Sequence, residues 1–253
     1  MVHFGNDYNI LKEDFMKDPK LLETMKDYKG RDEVPVDFDS FWDQVLANLA
    51  ELPEYKLEEQ DFSIPNVHCY ELTFKGTRDG LVYARVVFPK TDQKVPVIFH
   101  FHGYMGRCWD WTDMLAYTVA GYGVVSMDVR GQSGYSTDGD RSPLGNTVKG
   151  QIIRYFKFHD PFHEAEDRLM RTLAYIDVKN FAHRIKKQVH MITGLDDDVC
   201  YPETQFAIYN RLECPKEHLI MPEYAHEAMK VQVNDRVYNW LCGSKIPFRY
   251  VEK

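Results

Sequence analysis

Three nearly continuous apolar segments constrain the fold of this chain more than any other feature. They cover residues 95–101, 124–129 and 189–192. Segments of this length and composition are typical of strands that are buried on both faces. After residue 94 the pattern runs strand, loop, helix and strand, with the first helix at 112–119. The sequence therefore predicts an α/β fold with a mostly parallel sheet and helices on both faces.

The pattern before and after this region predicts further elements. A helix is expected with Asp37 or Asp39 as its cap. Its packing face repeats with a helical period and consists of Trp42, Val45, Leu46 and Leu49. The other predicted elements are strands at 67–74, 81–88 and 217–221, and helices within 163–185, at 203–212 and from about 227 to 241. The polar residues 1–36 are expected to form an arm that docks on another surface, and 1–253 to form a single domain.

Composition limits the partners and the compartment. A net charge of -8 excludes a sequence-independent grip on nucleic acid, which needs clustered Lys and Arg. The absence of a long apolar run and of a leader pattern predicts no membrane partner. The five Cys form no C-x-x-C pair, which favours reduced thiols in the cytoplasm over a zinc or disulfide framework. We expect a small-molecule partner, no metal and no cofactor.

Residues able to do chemistry follow two of the apolar segments. The first segment runs into His102-Gly103-Tyr104, and the third runs into Asp196-Asp197-Asp198. About thirty residues later comes Ala225-His226-Glu227. An acid after a strand and a histidine before the last helix follow the chain order Ser, Asp, His of one class of hydrolases. No Ser of this chain, however, lies in a G-x-S-x-G turn.

The space for such a turn is also too short. Between Gly134 and Val189 lie 54 residues, of which 135–150 read as loop and 162–185 mostly as helix. A nucleophile strand, its turn and the adjoining helices and strand do not fit in the remainder, because helices and strands average about 11 and 5 residues. The strand-like run at 151–158 contains neither Ser nor Gly.

Motifs spread over nearly the whole chain resemble the acetyl xylan esterase and cephalosporin C deacetylase family, carbohydrate esterase family 7. The matching motifs are Phe38-Asp39-Ser40-Phe41-Trp42, His102-Gly103-Tyr104, Gly106-Arg107, Arg130-Gly131-Gln132, Thr172-Leu173-Ala174-Tyr175-Ile176-Asp177, Gly194-Leu195-Asp196-Asp197-Asp198-Val199, Pro202-Glu203-Thr204 and Ala225-His226-Glu227. The resemblance implies an α/β-hydrolase fold with a Ser-His-Asp mechanism. It also implies that the central nucleophile strand and adjacent elements are missing, through an internal deletion near 150–158.

The resemblance assigns roles to three residues. Asp197 is the triad acid, His226 is the base, and Tyr104 is the oxyanion residue whose backbone N–H faces the developing charge. The nucleophile and the second oxyanion donor have no counterpart. The implied partner is a small acetylated carbohydrate or a similar ester, and the implied assembly is a homo-oligomer. The Asp run alone would also suit a cap for the helix after Pro202.

Other residue clusters have competing interpretations. His100, His102 and Asp128 suggest a metal site, but their spacing is no zinc signature, and His102 suits a hydrogen bond that supports the oxyanion loop. Trp109 and Trp111 suit either a sugar pocket or local packing. The candidates for a substitute nucleophile are Ser133, Ser136 and Cys200, although Ser133 follows the wrong strand and Cys200 reads as a packing residue.

Three functions remain open. The first is an acetyl esterase family member that lacks an internal segment and is inactive as written. The second is a non-catalytic descendant that binds a carbohydrate or acyl ligand. The third is a hydrolase with a substitute nucleophile. The coding sequence across the Arg154–Tyr155 junction separates the first from the others.

Overall fold

The computed structural model describes residues 19–49, 53–76, 80–103, 106–131, 133, 135–137, 155–227 and 233–243. These residues cluster into two compact units. The first unit contains the described residues up to Trp42 and those from Ala165 onward, and the second contains those from Asp43 to Glu164. Tyr104 and the residues 138–154 around the predicted deletion lie outside the described residues.

The second unit is built on a five-stranded mixed sheet. Its strands are β1 (Tyr55–Glu59), β2 (Val67–Lys75), β3 (Leu81–Pro89), β4 (Val97–Phe101) and β5 (Gly123–Met127), in the order β1-β2-β3-β5-β4. The first three strands and β5 pair antiparallel, whereas β4 and β5 pair parallel. The predicted strands at 67–74, 81–88, 95–101 and 124–129 are therefore confirmed.

Burial differs between the two parallel strands. In β5, Val124 and Ser126 are completely buried, as expected for a strand covered on both faces. In β4, Phe99 and Phe101 are 64% and 61% exposed, so the prediction that this segment is buried on both faces is wrong. The apolar composition of β4 carries no information about which element covers it. In the described part of the sheet, β4 is the edge strand.

The connection between β4 and β5 is helical, as predicted. A 3-10 turn at Trp111–Met114 continues into helix α3 at Leu115–Val119. Two earlier helices, α1 (Pro19–Met25) and α2 (Phe38–Ala47), precede the sheet in the chain. The later helices and strands are α4 (Glu166–Ala174), a 3-10 helix at Val178–Arg184, β6 (Val189–Gly194), α5 (Pro202–Arg211), β7 (Lys216–Met221) and α6 (Val233–Leu241).

In the first unit, β6 pairs with β7 in a parallel two-stranded sheet, in the described part of the chain. Pro202 starts α5, where its missing N–H is not needed by the helix. Leu22 and Met25 of α1 pack against Phe206 of α5. Asn210, also on α5, donates to the carbonyl oxygens of Met25 and Tyr28. The described part of the predicted arm thus docks on α5 of the same unit.

Several local predictions need correction. The predicted packing face of α2 is confirmed only in part, because Trp42 packs against Phe181 whereas Leu46 and Leu49 are exposed. The helix also buries Phe38 against Phe181, because the aromatic residues near its start find aromatic partners in the 3-10 helix. The predicted helix within 163–185 is two helices, separated where Asp177 accepts a hydrogen bond from the N–H of Lys179. Residues 155–158, predicted as part of a strand, are helical.

Candidate active site

The end of β6 and the loop after β7 lie in close backbone contact. The N–H of Asp196 donates to the carbonyl oxygen of Tyr224 at 3.0 Å. A Cβ atom on Gly194 would overlap the carbonyl oxygens of Tyr224 and Ala225, so only glycine permits this approach. The contact places the residue after Ala225, which is His226, beside the acidic loop.

Asp197 is the buried member of the Asp run, with 6% exposure, whereas Asp196 and Asp198 are exposed. Its Oδ1 accepts the N–H groups of Val199 at 2.9 Å and Cys200 at 2.8 Å. The alternative that the run caps α5 does not hold, because the N-cap of α5 is Tyr201 and has no side-chain cap hydrogen bond. The backbone donors instead orient one carboxylate within the loop.

His226 completes a pair with this carboxylate. Its Nδ1 lies 3.2 Å from Oδ1 and 3.1 Å from Oδ2 of Asp197. Because an ionised carboxylate can only accept, Nδ1 carries the proton and donates it. The His226 side chain is 51% exposed, so its second nitrogen, Nε2, remains as the atom for proton exchange.

The surroundings keep Asp197 ionised. Burial alone would raise its pKa, but hydrogen bonds from Cys200 N–H, the His226 ring and Val199 N–H outweigh burial and lower the pKa below its ordinary value. The carboxylate therefore stays negative throughout the neutral pH range. A carboxylate that stays charged at neutral pH can orient a histidine and stabilise its protonated form.

Three further residues of this site carry no sequence signal. Gln205 on α5 donates from Nε2 to Oδ2 of Asp197 at 3.3 Å. Thr193 and His218, on the neighbouring strands β6 and β7, continue the hydrogen-bonded chain behind it. Sequence reasoning missed them because isolated Gln, Thr and His residues in regular elements form no motif. Gly194, at the end of an apolar strand, was the one detectable signal.

In the second unit, the described residues around Tyr104 contact the segment around the end of β5. Tyr104 itself is outside the described residues. His102 accepts the N–H of Val129 at 3.0 Å through Nε2 and donates to the carbonyl of Gly103 at 2.6 Å through Nδ1. Asp128 accepts the N–H of Cys108 at 2.6 Å. His102 thus supports the described residues around Tyr104 by hydrogen bonds.

The residues of the metal and sugar-pocket alternatives are engaged locally. The Nδ1 of His100 contacts Ser126 Oγ at 2.8 Å, and its ring stacks on Trp109 with centroids 3.7 Å apart. Trp111 packs against Phe62 and lies under the guanidinium of Arg85. In the part of the chain that the structure describes, no group of three or more His, Cys, Asp or Glu side chains is arranged to hold a metal ion.

The three substitute nucleophiles have different surroundings. Ser136 is buried, and its Oγ accepts the N–H of Tyr83 and donates to the carbonyl of Asp128. Ser133 has a φ of 63°, and its Oγ donates to the carbonyl of Gly106 at 2.8 Å. Cys200 is exposed, which contradicts its prediction as a packing residue. Partial burial of its thiol and the charge of Asp197 raise the pKa of Cys200, which disfavours the reactive thiolate.

The strand order of the second unit is that of an α/β hydrolase, and solved esterases of this fold match the chain. The chain belongs to the acetyl xylan esterase family. The model of that family, described as acetyl xylan esterase (AXE1), matches residues 16–154 and 151–244. The two stretches meet at 151–154, inside the region where the sequence predicts an internal deletion.

Known relatives agree with this assignment. Acetyl xylan esterase 1 from Thermoanaerobacterium sp. is 29% identical, with a TM-score of 0.80 over 88% of this chain and 98% of that chain. The acetyl xylan esterase from Paenibacillus sp. R4, 22% identical with a TM-score of 0.76 over 88% of this chain and 98% of that one, supports the fold. The acetyl esterase Axe7A of Xylanibacter ruminicola is 44% identical over 57 residues, or 22% of this chain, and this match spans 13% of that relative's length.

No helix in the described residues has the length and hydropathy to cross a membrane.

Proposed function

We propose that this chain carries the acid-base half of a serine-type acetyl esterase and that it does not turn over acetyl esters. The observation that carries the proposal is the hydrogen bond between His226 Nδ1 and the buried Asp197. Asp197 acts as the acid that orients the ring, and His226 acts as the base.

The chemistry of acyl transfer explains these roles. A serine hydroxyl needs a base that removes its proton during attack and returns it to the leaving group. Nε2 of His226 is the nitrogen available for this exchange, because Nδ1 is held by Asp197. The resemblance to the family assigns Tyr104 the role of an oxyanion donor in this proposal. The Ser itself has no counterpart in the sequence, and removal of the nucleophile from a triad costs on the order of a million-fold in turnover.

The substrate class follows from the family. We propose that the parent enzyme removes acetyl groups from acetylated xylooligosaccharides or from similar small esters such as cephalosporin C. The acid-base pair provides no means of distinguishing these esters, since it acts on the acyl group that they share. We also propose that the protein forms a homo-oligomer. We propose a cytoplasmic location as well, supported by five cysteines that are all free thiols.

Two assays on the purified chain test the proposal. Hydrolysis of p-nitrophenyl acetate should be no faster than with free histidine in buffer, and a fluorophosphonate probe should label no serine. Stoichiometric labelling that disappears in Ser133→Ala would instead establish a substitute nucleophile. If hydrolysis is absent but acetylated xylooligosaccharides bind with a measurable Kd, the non-catalytic ligand-binding function is the better description.

A further inference from the structure

A side-chain amide links the acid of the candidate site to the interior of the first unit. Gln205 donates from Nε2 to Oδ2 of Asp197 at 3.3 Å and to the carbonyl oxygen of Cys200 at 2.6 Å. Its Oε1 accepts the hydroxyl of Thr193 at 2.8 Å. Nitrogen meets two acceptors and oxygen meets a donor, so the amide has one favourable orientation.

The proton count extends this chain of contacts to His218. Thr193 is completely buried and has one hydroxyl proton, which goes to Oε1 of Gln205. Its 2.8 Å contact with Nε2 of His218 therefore needs the proton on the histidine nitrogen. Burial, with a smaller effect from Lys216, lowers the pKa of His218 to about 4, so the ring is neutral near pH 7. His218 is thus the Nε2–H tautomer.

The carboxylate of Asp197 depends on this amide for one of its oxygens. Oδ1 is held by two backbone N–H groups, whereas the side chains of Gln205 and His226 are the donors to Oδ2 in the described part of the chain. His226 lies almost equally far from both oxygens, at 3.2 and 3.1 Å. Loss of the amide would leave Oδ2 held by the exposed ring alone and would loosen the plane of the carboxylate.

We propose that Gln205 is a positioning residue for the Asp197–His226 pair, and that His218, Thr193 and Gln205 form one directional hydrogen-bond relay ending on Asp197. The inference rests on the proposed function for the significance of the pair. The relay runs from donor to acceptor in one direction: His218 to Thr193, Thr193 to Gln205, and Gln205 to Asp197. Each proton position is thereby coupled to the next.

The test is the tautomer of the two histidines in the full chain. The protein is labelled with ¹⁵N-histidine, and long-range ¹H–¹⁵N spectra at pH 7 are assigned with His218→Gln and His226→Gln. In Gln205→Met the hydroxyl of Thr193 loses its acceptor and turns to Nε2 of His218. His218 should then change from predominantly Nε2–H to predominantly Nδ1–H. His226 should gain the Nε2–H form as its partner loosens.

A second variant separates the two ends of the relay. In Gln205→Glu the carboxylate still accepts from Thr193, so His218 should remain Nε2–H. The new charge repels Asp197, so the spectrum of His226 should change. Asn210→Ala is the matched control, because it removes another hydrogen-bonding amide of α5 outside the relay. This control should change the tautomer of neither His218 nor His226. If Gln205→Met does not fold, Gln205→Asn, too short to reach both partners, is expected to act on both histidines in the same way.

Unchanged tautomers of His218 and His226 in a folded Gln205→Met or Gln205→Asn protein would overturn the relay. Equal changes in Asn210→Ala would do the same, because they would mean that any loosening of α5 suffices. These spectra do not require catalysis. Esterase activity of the chain would refute the proposed inactivity and leave the relay proposal unaffected. Unchanged histidine spectra in the Gln205 variants would refute the relay alone.

Discussion

Gly194 and Tyr224 are in such close contact that a methyl group on Gly194 would overlap the Tyr224 carbonyl oxygen. The strand that leads to Asp197 and the loop that leads to His226 therefore depend on one glycine. The carbonyl oxygens of Tyr224 and Ala225 that obstruct it are both backbone atoms, so a rotamer change cannot relieve the overlap. The hydrogen bond between His226 and Asp197 follows from this crossing.

Gly194→Ala should destabilise the protein and separate His226 from Asp197. Overpacking a tight site costs about 1–3 kcal/mol, and here the displaced part is the loop that carries His226. Urea unfolding measures the first effect, and the ¹⁵N spectrum of His226 measures the second. Gly103→Ala is the control, since no atom of the described residues lies within 4 Å of its Cβ position. Similar losses in the two variants would show that the contact at Gly194 is not special.

Substitutions of the three neighbouring aspartates should differ sharply in their effect on kcat once a nucleophile is present. We expect a chimera that receives the missing segment from an intact family member to hydrolyse p-nitrophenyl acetate. Asp197→Asn should lower its kcat by on the order of 10⁴-fold, as loss of the triad acid does elsewhere. Asp196→Asn and Asp198→Asn should retain most activity, because both side chains are exposed. Equal losses in all three variants would refute the assignment of the acid.

Stability should fall as the pH is lowered from 6.5 to about 4, in part because of His218. Its pKa falls from 6.5 to about 4 on folding, so in this window the unfolded chain binds a proton that the folded chain excludes. Each pKa unit corresponds to about 1.4 kcal/mol, which limits the effect to about 3 kcal/mol. In His218→Gln, the free energy of unfolding measured with urea should depend less on pH over this window. His159→Gln, at an exposed position, should leave the slope unchanged.

Below this window Asp197 should contribute a second loss of stability. Its pKa is lowered on folding, so its contribution is complete above the ordinary value of 3.8 and disappears as the pH falls through the lowered value. Asp197→Asn should remove this part of the acid dependence. Asp198→Asn should leave it in place. If the free energy of unfolding falls equally at low pH in Asp197→Asn and in the parent, the stabilising role of the carboxylate is contradicted.

The exposed face of β4 should make the chain associate. Phe99 and Phe101 are more than half exposed on a strand that forms the edge of the sheet in the described residues, which is the arrangement that favours pairing with another chain. We expect size-exclusion chromatography to show concentration-dependent association that Phe99→Lys reduces. Val119→Lys, at an 84% exposed position outside the sheet, is the control. A monodisperse parent monomer that melts cooperatively and binds no apolar dye would contradict this expectation.

The strands were predictable because their signal is local. The apolar segments at β5 and β6 and the helices at α3 and α5 lie where the sequence patterns place them. The positions of Asp197 and His226 in the chain also follow from sequence, since an acid after a strand and a histidine before the last helix recur in this class. The packing of α2 was not predictable, because its partner Phe181 is more than a hundred residues away.

The sequence by itself determined the family, the chain order of Asp197 and His226, and the absence of a G-x-S-x-G motif. Tertiary structure alone decided that Asp197 is buried while its two neighbours are exposed, and that Gln205 and Thr193 meet behind it. The reason is physical. Local patterns report how residues repeat along one element, whereas hydrogen bonding and burial depend on which elements meet in space.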